Sequence, residues 1–555
     1  TSMASTRDFL DAHLNTFTST GYSRNEIAGI ATLSSINNLF EWTATYDKKI
    51  NDMHSINVLA GITYQDFERK TTQIRTENFV AKGTYTDNVG LGDGTKNFIA
   101  SNKTVSSLFS YLGRVNYSYA DKLLVTGTIR RDGSSKFGLN NKYAIFPAIA
   151  LGYKLHDESF IPESFNELKI RTSWGQTGNE GVGIGASQQT YQSGGNATFN
   201  NGPYTAITPS RVANPDLKWE TTEQLNIGID FGILGNRING SIDYFSKDTK
   251  DLLLDLPLPT SSGFASVLQN VGNVKNSGIE LLLGAGIIEN QDLTWNTSIN
   301  LTTSKNEIIS LGEITSINIG EVEAVGNIGI LKPGLSIGEY WGYKMNGILQ
   351  NDAEVASSAT PNSKPGNPKW IDQNGDGSIT PDDRVSLGSP FPDYTWGLNN
   401  TVQYKNWTLN VFMYGEQGKY LLNNNALESL YPLNYRRNLF TLHGLNRWTP
   451  SNPSNKWPSG VLTSSYGASK VNNLAVEDAS FWRLKTVSLN YNVPVVNIDF
   501  LKSLQLGVIL NNLLTVTDYT GWDPEANRFG GGNVKADMNS YPISKSIIFS
   551  LNASF

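Results

Sequence analysis

The sequence predicts an all-β fold, a transmembrane antiparallel β-barrel with long extracellular loops. Three observations predict it. Apolar and polar residues alternate with a period of two over about fifteen segments, as in strands with one apolar face and one wet face. Short turns and long connections follow one another in strict alternation, and Trp and Tyr recur near the ends of the apolar faces. Both of these features are typical of outer-membrane barrels.

The predicted strands begin near residues 34–46 and 53–69, and residues 1–33 hold either one further strand or a loop. The remaining segments with period-two alternation are 107–119, 122–131, 143–155, 168–176, 218–231, 237–250, 276–286, 294–304, 393–404, 407–417, 481–493, 503–514 and 542–555.

The last segment shows the alternation clearly. Ile547, Phe549 and Leu551 share one side with Phe555, whereas serine and asparagine dominate the other side. A soluble β-sandwich would show the same period, with its apolar side turned to a core. Aromatic rings at the strand ends favour a membrane, because such rings form girdles at both lipid–water interfaces. They are Trp295, Tyr394, Tyr404, Trp407 and Tyr491.

The connections between the segments give the predicted orientation. Short turns such as "YADK", "ILGN" and "YKNW" alternate with long loops near 177–217, 305–392 and 418–480. In outer-membrane barrels the short turns face the periplasm and the long loops face the outside. We therefore expect the long loops to be extracellular and the C-terminus at Phe555 to be periplasmic.

Composition excludes several classes of protein. The net charge is −6 and only 17% of residues are charged, so no basic surface for nucleic acid is predicted. The absence of cysteine excludes disulfides and thiolate metal sites. No apolar run of about 18 residues predicts a transmembrane helix, and "TSMASTRDFLDAHLN" does not resemble a signal peptide. The mean hydropathy of −0.31 would suit a soluble protein, but a barrel hides its apolar surface in alternation.

The stretch "IDQNGDGSITPDDR" predicts a structural calcium site in the loop 305–392. A twelve-residue calcium loop needs oxygen ligands at positions 1, 3, 5, 7, 9 and 12 and a glycine at position 6. The predicted ligands are Asp372, Asn374, Asp376, the Ser378 carbonyl and Asp383, with Thr380 acting through water. Pro381 and the lack of amphipathic flanks argue against a helix-paired sensor. An ion-free turn rich in Asx and Gly residues is the alternative.

No set of residues predicts catalysis, so the chain is not expected to be an enzyme. The four histidines are scattered, and no HExxH, GxSxG or phosphate-binding glycine loop occurs. Three loop segments rich in aromatic residues, "YWGYKMNG", "SLYPLNYRRN" and "TDYTGWDPEANRFGG", suit sugar rings or peptides instead. The candidate substrate-binding residues are Tyr340, Trp341, Tyr431, Tyr435, Tyr519 and Trp522.

Several motifs in the same order resemble one known family. "SYLGRVNYSYADKLLVTGTIRRDGSSKFGLNNKYAIFPAIALGYKL" (110–155), "LKIRTSWGQTGN" (168–179), "NPDLKWETTEQLNIGIDFG" (214–232), "NVGNVKNSGIEL" (270–281) and "WRLKTVSLNYNVP" (482–494) are similar to SusC-like TonB-dependent transporters, the SusC/RagA family of Bacteroidota. The resemblance implies active import of an oligomeric nutrient, a glycan or a peptide, across the outer membrane. It also implies a SusD-like surface lipoprotein as partner and energy from TonB–ExbB–ExbD.

One part of the family pattern is not visible in the chain. Such transporters begin with a signal peptide, a TonB box, a plug domain and the first barrel strands, and plugged barrels have about 22 strands. We therefore expect residues 34–555 to be the C-terminal part of the barrel, with the plug and the remaining strands supplied by another segment, because open sheet edges are not tolerated in lipid.

Two other functions remain open from the sequence. One is a passive porin-type channel, which keeps the barrel and lacks the plug. The other is a secreted β-protein that binds carbohydrate and is stabilised by calcium.

Overall fold

The fold is described from a computed structural model that covers residues 2–14, 24–81, 86–199, 202–322, 325–430, 439–460, 470–495, 500–527 and 534–555. Its strands, numbered along the chain, are β1 (Ser2–Leu14), β2 (Ile27–Lys49), β3 (His54–Glu77), β4 (Phe98–Tyr119), β5 (Leu123–Ser134), β6 (Tyr143–Lys154), β7 (Phe165–Asn179), β8 (Thr190–Phe199), β9 (Gly202–Arg211), β10 (Glu220–Ile233), β11 (Ile238–Lys250), β12 (Leu253–Pro257), β13 (Ser266–Asn270), β14 (Asn273–Glu289), β15 (Leu293–Ser310), β16 (Ile317–Val322), β17 (Gly326–Leu331), β18 (Glu339–Gly342), β19 (Met345–Ile348), β20 (Pro368–Trp370), β21 (Val385–Ser386), β22 (Tyr394–Tyr404), β23 (Trp407–Gln417), β24 (Tyr420–Asn423), β25 (Val476–Asp478), β26 (Phe481–Val493), β27 (Ser503–Thr517), β28 (Ala536–Asp537) and β29 (Ser546–Ser554).

Helices are few and short in the described residues. The α-helices are α1 (Asp352–Ala356), α2 (Asn424–Leu430) and α3 (Thr441–Asn446), and 3₁₀ turns lie at Val89–Leu91, Gly94–Lys96, Thr260–Ser262 and Pro381–Asp383. Among these residues no helix is long and apolar enough to cross a bilayer.

One large sheet contains all of the predicted strands. Within the described residues it is 16-stranded, in the order β1-β2-β3-β4-β5-β6-β7-β10-β11-β14-β15-β22-β23-β26-β27-β29. The smaller sheets are β8-β9, β12-β13, β16-β17-β18-β21, β19-β20 and β25-β24-β28. Since neighbours in the large sheet are also neighbours along the chain, alternate connections lie at opposite ends of the strands. The prediction of an all-β antiparallel fold is confirmed.

The segment 1–33, which the sequence left open, contains β1 and the start of β2. Strand β1 pairs with β2 from Ser2↔Asn38 to Leu14↔Ile27. It adds the sixteenth strand to the about fifteen segments that show apolar alternation.

Strands β2, β3 and β4 are longer than the predicted segments. Pairing between β2 and β3 is continuous from Ile27↔Glu77 to Lys49↔Ser55. At about 3.3 Å per residue, the 24 residues of β3 extend for roughly 80 Å, far beyond an apolar band of about 25 Å. Apolar alternation marks only the part of a strand that contacts lipid. Charged residues appear beyond the predicted segments, such as Lys70 of β3 and Lys103 of β4, each 2.8 Å from Glu68.

The apolar side of the strands is exposed, as expected for a lipid-facing surface. In β29 the exposed fractions are 64% for Ile547, 79% for Phe549 and 67% for Leu551. Near the two-residue turn after β22, Tyr404 pairs with Trp407, and the Trp407 ring lies 4.5 Å from Tyr491. These residues are not in a protein core, which excludes the arrangement of a soluble sandwich.

The polar side is held by hydrogen bonds and ion pairs. Asp230 lies on the opposite face of β10 from the exposed Ile227 and Ile229. Arg171 of β7 contacts Asp230 at 3.0 Å and Asp243 of β11 at 2.6 Å. Fixed charges of this kind are expected on the wet face of a barrel wall.

The chain divides into two compact units, one of Thr1–Leu151, Ser173–Glu223 and Lys250–Val271 and the other of Gly152–Thr172, Gln224–Thr249 and Gly272–Phe555. The first unit has a core in which Trp219 packs on Phe137 and Phe146, with ring centroids 4.7 and 5.6 Å away. Gly138 permits this packing, because a Cβ there would lie 2.0 Å from the Pro215 carbonyl oxygen. The second unit contains the candidate functional site.

Candidate functional site

The described parts of three long connections of the second unit fold into one compact layer, which we call the outer layer: residues 311–322 and 325–393, residues 418–430, 439–460 and 470–480, and residues 518–527 and 534–545. Strand β24 from the second connection pairs antiparallel with β25 and parallel with β28, which comes from the third. The loop 305–392 forms its own sheet, β16-β17-β18-β21. A common core joins the three connections: Val322, Ile328, Tyr340, Leu387, Leu422, Leu427, Val471, Ala475, Val476, Val534 and Ala536. The predicted loops 305–392 and 418–480 are therefore parts of one packed structure.

Two of the predicted substrate-binding aromatics are buried in this layer, which corrects the prediction. Tyr340 is 0% exposed and its hydroxyl donates to the Lys535 carbonyl oxygen at 2.7 Å. Tyr519 is 5% exposed and its hydroxyl donates to Asp537 at 2.8 Å. Burial raises the pKa of both phenols. Their rings fill the core while a partner satisfies each hydroxyl, so neither ring is available to a ligand.

The other four candidates differ in position. Trp522 is 76% exposed, and Trp341 is partly exposed and lines a cavity. Tyr431 and Tyr435 lie outside the described residues.

The cavity beside Trp341, which we call the cation–aromatic cavity, has a volume of about 240 Å³. Its lining includes Asn327, Trp341, Gly342, Tyr343, Arg384 and Lys470. The Lys470 ammonium lies 4.0 Å from the centre of the Tyr343 ring, and Arg384 Nε donates to the Pro381 carbonyl at 3.0 Å. Burial lowers the pKa of Lys470 to about 8.

The sequence did not indicate Arg384 or Lys470. They lie in two different long connections, which meet beside the cavity where Tyr343 forms a β-bridge with Asn472. Gly342 allows the approach, because a Cβ there would lie 2.3 Å from the Val471 carbonyl oxygen. No local pattern could have shown this arrangement.

The predicted calcium loop is closed by hydrogen bonds from its own backbone. Asp372 accepts from the N–H groups of Gly375 and Gly377, each at 2.7 Å, and Asp376 accepts from that of Ser378 at 2.8 Å. Both glycines have positive φ, 76° and 84°, a conformation that favours glycine. The loop is thus built as a series of Asx turns.

Asp383 closes the far end of this loop. It is 0% exposed and accepts from the N–H groups of Gln373 at 2.8 Å and Thr380 at 2.6 Å. Burial alone would raise the pKa of its carboxyl, but the backbone N–H groups of Thr380, Gln373 and Asn374 together lower it. The carboxylate therefore acts as an internal cap for the 3₁₀ turn Pro381–Asp383.

In the part of the chain that the structure describes, no group of three or more His, Cys, Asp or Glu side chains could hold a metal ion. The carboxylates of Asp372, Asp376 and Asp383 are engaged by backbone N–H groups. Calcium binding by Asp372, Asn374, Asp376, Ser378 and Asp383 stays a prediction.

Asp383→Asn is expected to lower the stability of the outer layer by about 1–3 kcal/mol, because an amide cannot replace both acceptor oxygens and leaves a buried N–H unpaired. Limited proteolysis of the folded protein measures cleavage within 368–386, with the exposed neighbour Asp382→Asn as control. The stabilisation by the Asp383 carboxylate is fully present above the ordinary carboxyl pKa of 3.8. It is lost as the pH falls through the lowered pKa of Asp383 in the folded protein. Cleavage of Asp383→Asn at the wild-type rate would contradict the cap, and faster cleavage of the wild type in EGTA would establish calcium binding.

The third connection is fixed to the barrel wall by a buried ion cluster. Arg483 of β26 is 1% exposed and contacts Asp523 at 2.9 Å and Glu525 at 2.7 Å. Its Nη1 atom faces Glu525 off the line of a hydrogen bond, so that contact is ionic. Glu525 also accepts from the Tyr414 hydroxyl at 2.5 Å. Asp523 and Glu525 line a second cavity, of about 380 Å³.

The large meander, with its outer layer and its exposed apolar strand faces, is the architecture of one family of membrane barrels. The model of the family described as "TonB dependent receptor-like, beta-barrel" matches residues 4–513. The chain belongs to this family. The resemblance predicted from the motifs is thereby confirmed, and TonB-dependent receptor barrels are proteins of the bacterial outer membrane.

Named members of the TonB-dependent receptor family are similar to this chain. TonB-dependent receptor P26 of Formosa agariphila is 34% identical over 534 residues, which are 93% of this chain and 53% of the relative. TonB-dependent receptor SusC of Bacteroides thetaiotaomicron is 29% identical over 469 residues, which are 81% of this chain and 44% of the relative. The chain thus spans about half the length of the curated relatives it matches.

Solved structures agree with this assignment. The structure titled "Structure of the RagAB peptide transporter" superposes with a TM-score of 0.81 at 25% identity, covering 96% of this chain and 56% of that one. The fold of this TonB-dependent receptor barrel is therefore of the SusC/RagA type.

Proposed function

We propose that this chain forms the wall and outer loops of a SusC-like transporter that imports an oligomeric nutrient, a glycan or a peptide, across the outer membrane. One observation carries the proposal: three connections at one end of the strands fold into a layer with cavities, whereas the other end has turns as short as residues 405–406. Cavities for a ligand therefore lie at the end of the strands that carries the layer. We place it outside the cell, with the C-terminus in the periplasm.

The proposed mechanism is gating, without a catalytic step. The outer layer captures the oligomer together with a SusD-like lipoprotein. Movement of a plug, driven by TonB–ExbB–ExbD, then opens the lumen lined by the polar strand faces. The names of two similar proteins support this proposal: a TonB-dependent receptor for the energy source, and a peptide transporter for transport of a peptide.

Uptake of the oligomer is expected to require TonB. Cells that express the protein are supplied with fluorescent oligosaccharides and oligopeptides, and internal label is measured with and without TonB. Loss of uptake without TonB is the expected result, because a closed lumen does not conduct passively. Uptake that persists without TonB would favour the porin alternative, and release of the protein into water without detergent would favour the secreted β-protein.

A further inference from the structure

We propose that the cation–aromatic cavity binds one acidic sugar residue, bearing a carboxylate or a sulfate, of the imported oligomer. This inference rests on the proposed function, because it assigns the cavity to the path of the cargo. It narrows the glycan or peptide of the proposed function to a glycan that carries acidic sugars.

The charges on the lining favour an anion. Arg384 and Lys470 are the charged residues among those that line the cavity. The carboxylate of Asp383, which acts electrostatically on Lys470, accepts from the backbone N–H groups of Gln373 and Thr380. An anion in the cavity would therefore meet a guanidinium and an ammonium group, which form the strongest hydrogen bonds to oxyanions.

The aromatic lining of the cavity favours a sugar ring over an extended peptide chain. The partly exposed Trp341 presents an aromatic surface, and such surfaces pack against the flat apolar faces of other rings. A volume of about 240 Å³ is below the range of roughly 300–1,000 Å³ for drug-sized ligands. The cavity therefore suits one sugar unit, with the rest of the oligomer outside it.

The fold holds these groups in place before a ligand arrives. Trp341 pairs with Ser386 between β18 and β21, and Tyr343 forms its bridge with Asn472. Lys470 is positioned over the Tyr343 ring. A prearranged site loses little conformational freedom on binding.

The Lys470 ammonium gives the site a pH dependence. Asp383 and Arg384 act on it electrostatically, and the Tyr343 ring lies against it. Because its pKa is lowered to about 8, the positive charge is present below that pH and is lost above it. Affinity for an anion is therefore expected to fall as the pH rises through about 8.

The test measures binding of glucuronic acid, glucose 6-sulfate and neutral glucose to the protein purified in detergent, by calorimetry. The two acidic sugars distinguish carboxylate from sulfate, and both are expected to bind more tightly than glucose. Lys470→Gln and Arg384→Gln are each expected to weaken acidic-sugar binding roughly tenfold. Lys470→Gln is also expected to remove the pH dependence.

Lys369→Gln is the matched control, because Lys369 is an exposed lysine of the same loop that does not line the cavity. Unchanged heat-modifiable migration on gels establishes that each variant is folded. Equal affinity of all variants for the acidic sugars, or binding of acidic dipeptides in their place, would overturn the inference. If the protein binds acidic sugars but cells take up no oligomer through it in the presence of TonB, the proposed function is contradicted and the binding site is not.

Discussion

Arg483→Met is expected to lower the free energy of unfolding by about 3–5 kcal/mol, the cost of leaving buried carboxylates without their cation. Asp523 is 5% exposed and Arg483 1%, so water cannot replace the lost contact. The Glu525 side chain is 25% exposed, so its ion pair with Arg483 contributes less to this free energy than that of Asp523. Thermal unfolding in detergent and proteolysis of residues 518–527 measure the effect, and both are expected to show the third connection released from β26.

A compensating variant serves as the control for this prediction. Asp523→Asn with Glu525→Gln removes the buried negative charges, so adding it to Arg483→Met is expected to recover part of the stability. If Arg483→Met alone unfolds at the same temperature as the wild type, the ion cluster does not hold the third connection to β26.

Leu398→Arg is expected to impair assembly by about 2–4 kcal/mol, the cost of a cation near the middle of the lipid face. Leu398 lies in the middle of β22, on the same side as the exposed Tyr394 and Tyr404, and pairs with Ile299 and Met413. The yield of folded protein in outer membranes measures the effect.

Asn399→Arg is the matched control, because the next residue on β22 points to the opposite, polar face. This variant is expected to assemble nearly as well as the wild type. Equal yields for the two arginine variants would contradict the assignment of the lipid side.

The strands could be predicted because their information is local. The predicted segments 407–417 and 481–493 agree with β23 and β26. Each lipid-facing strand alternates because lipid and water lie on its two sides, and this pattern depends on no distant residue. The parts of β2, β3 and β4 at 27–33, 70–77 and 98–106 escaped prediction, since apolar and polar residues do not alternate regularly there.

The candidate site could be predicted only in part. Trp341 was predicted from an aromatic segment, and the structure places it at a cavity. Tyr340, its neighbour, has the opposite environment because adjacent strand residues point to opposite sides of β18. Arg384 and Lys470 carried no signal at all, because their role depends on two connections meeting.

The sequence by itself predicted the wall of a membrane barrel from its alternation, and its motifs predicted the family that the family model then confirmed. The tertiary structure decided how the outer layer is built: which aromatics fill its core, how Asp383 caps its own loop, and where Arg483 fixes the third connection. The physical reason is the range of the interactions. Contact with lipid acts on every second residue of one strand, whereas a cavity or an ion cluster requires residues that only folding brings together.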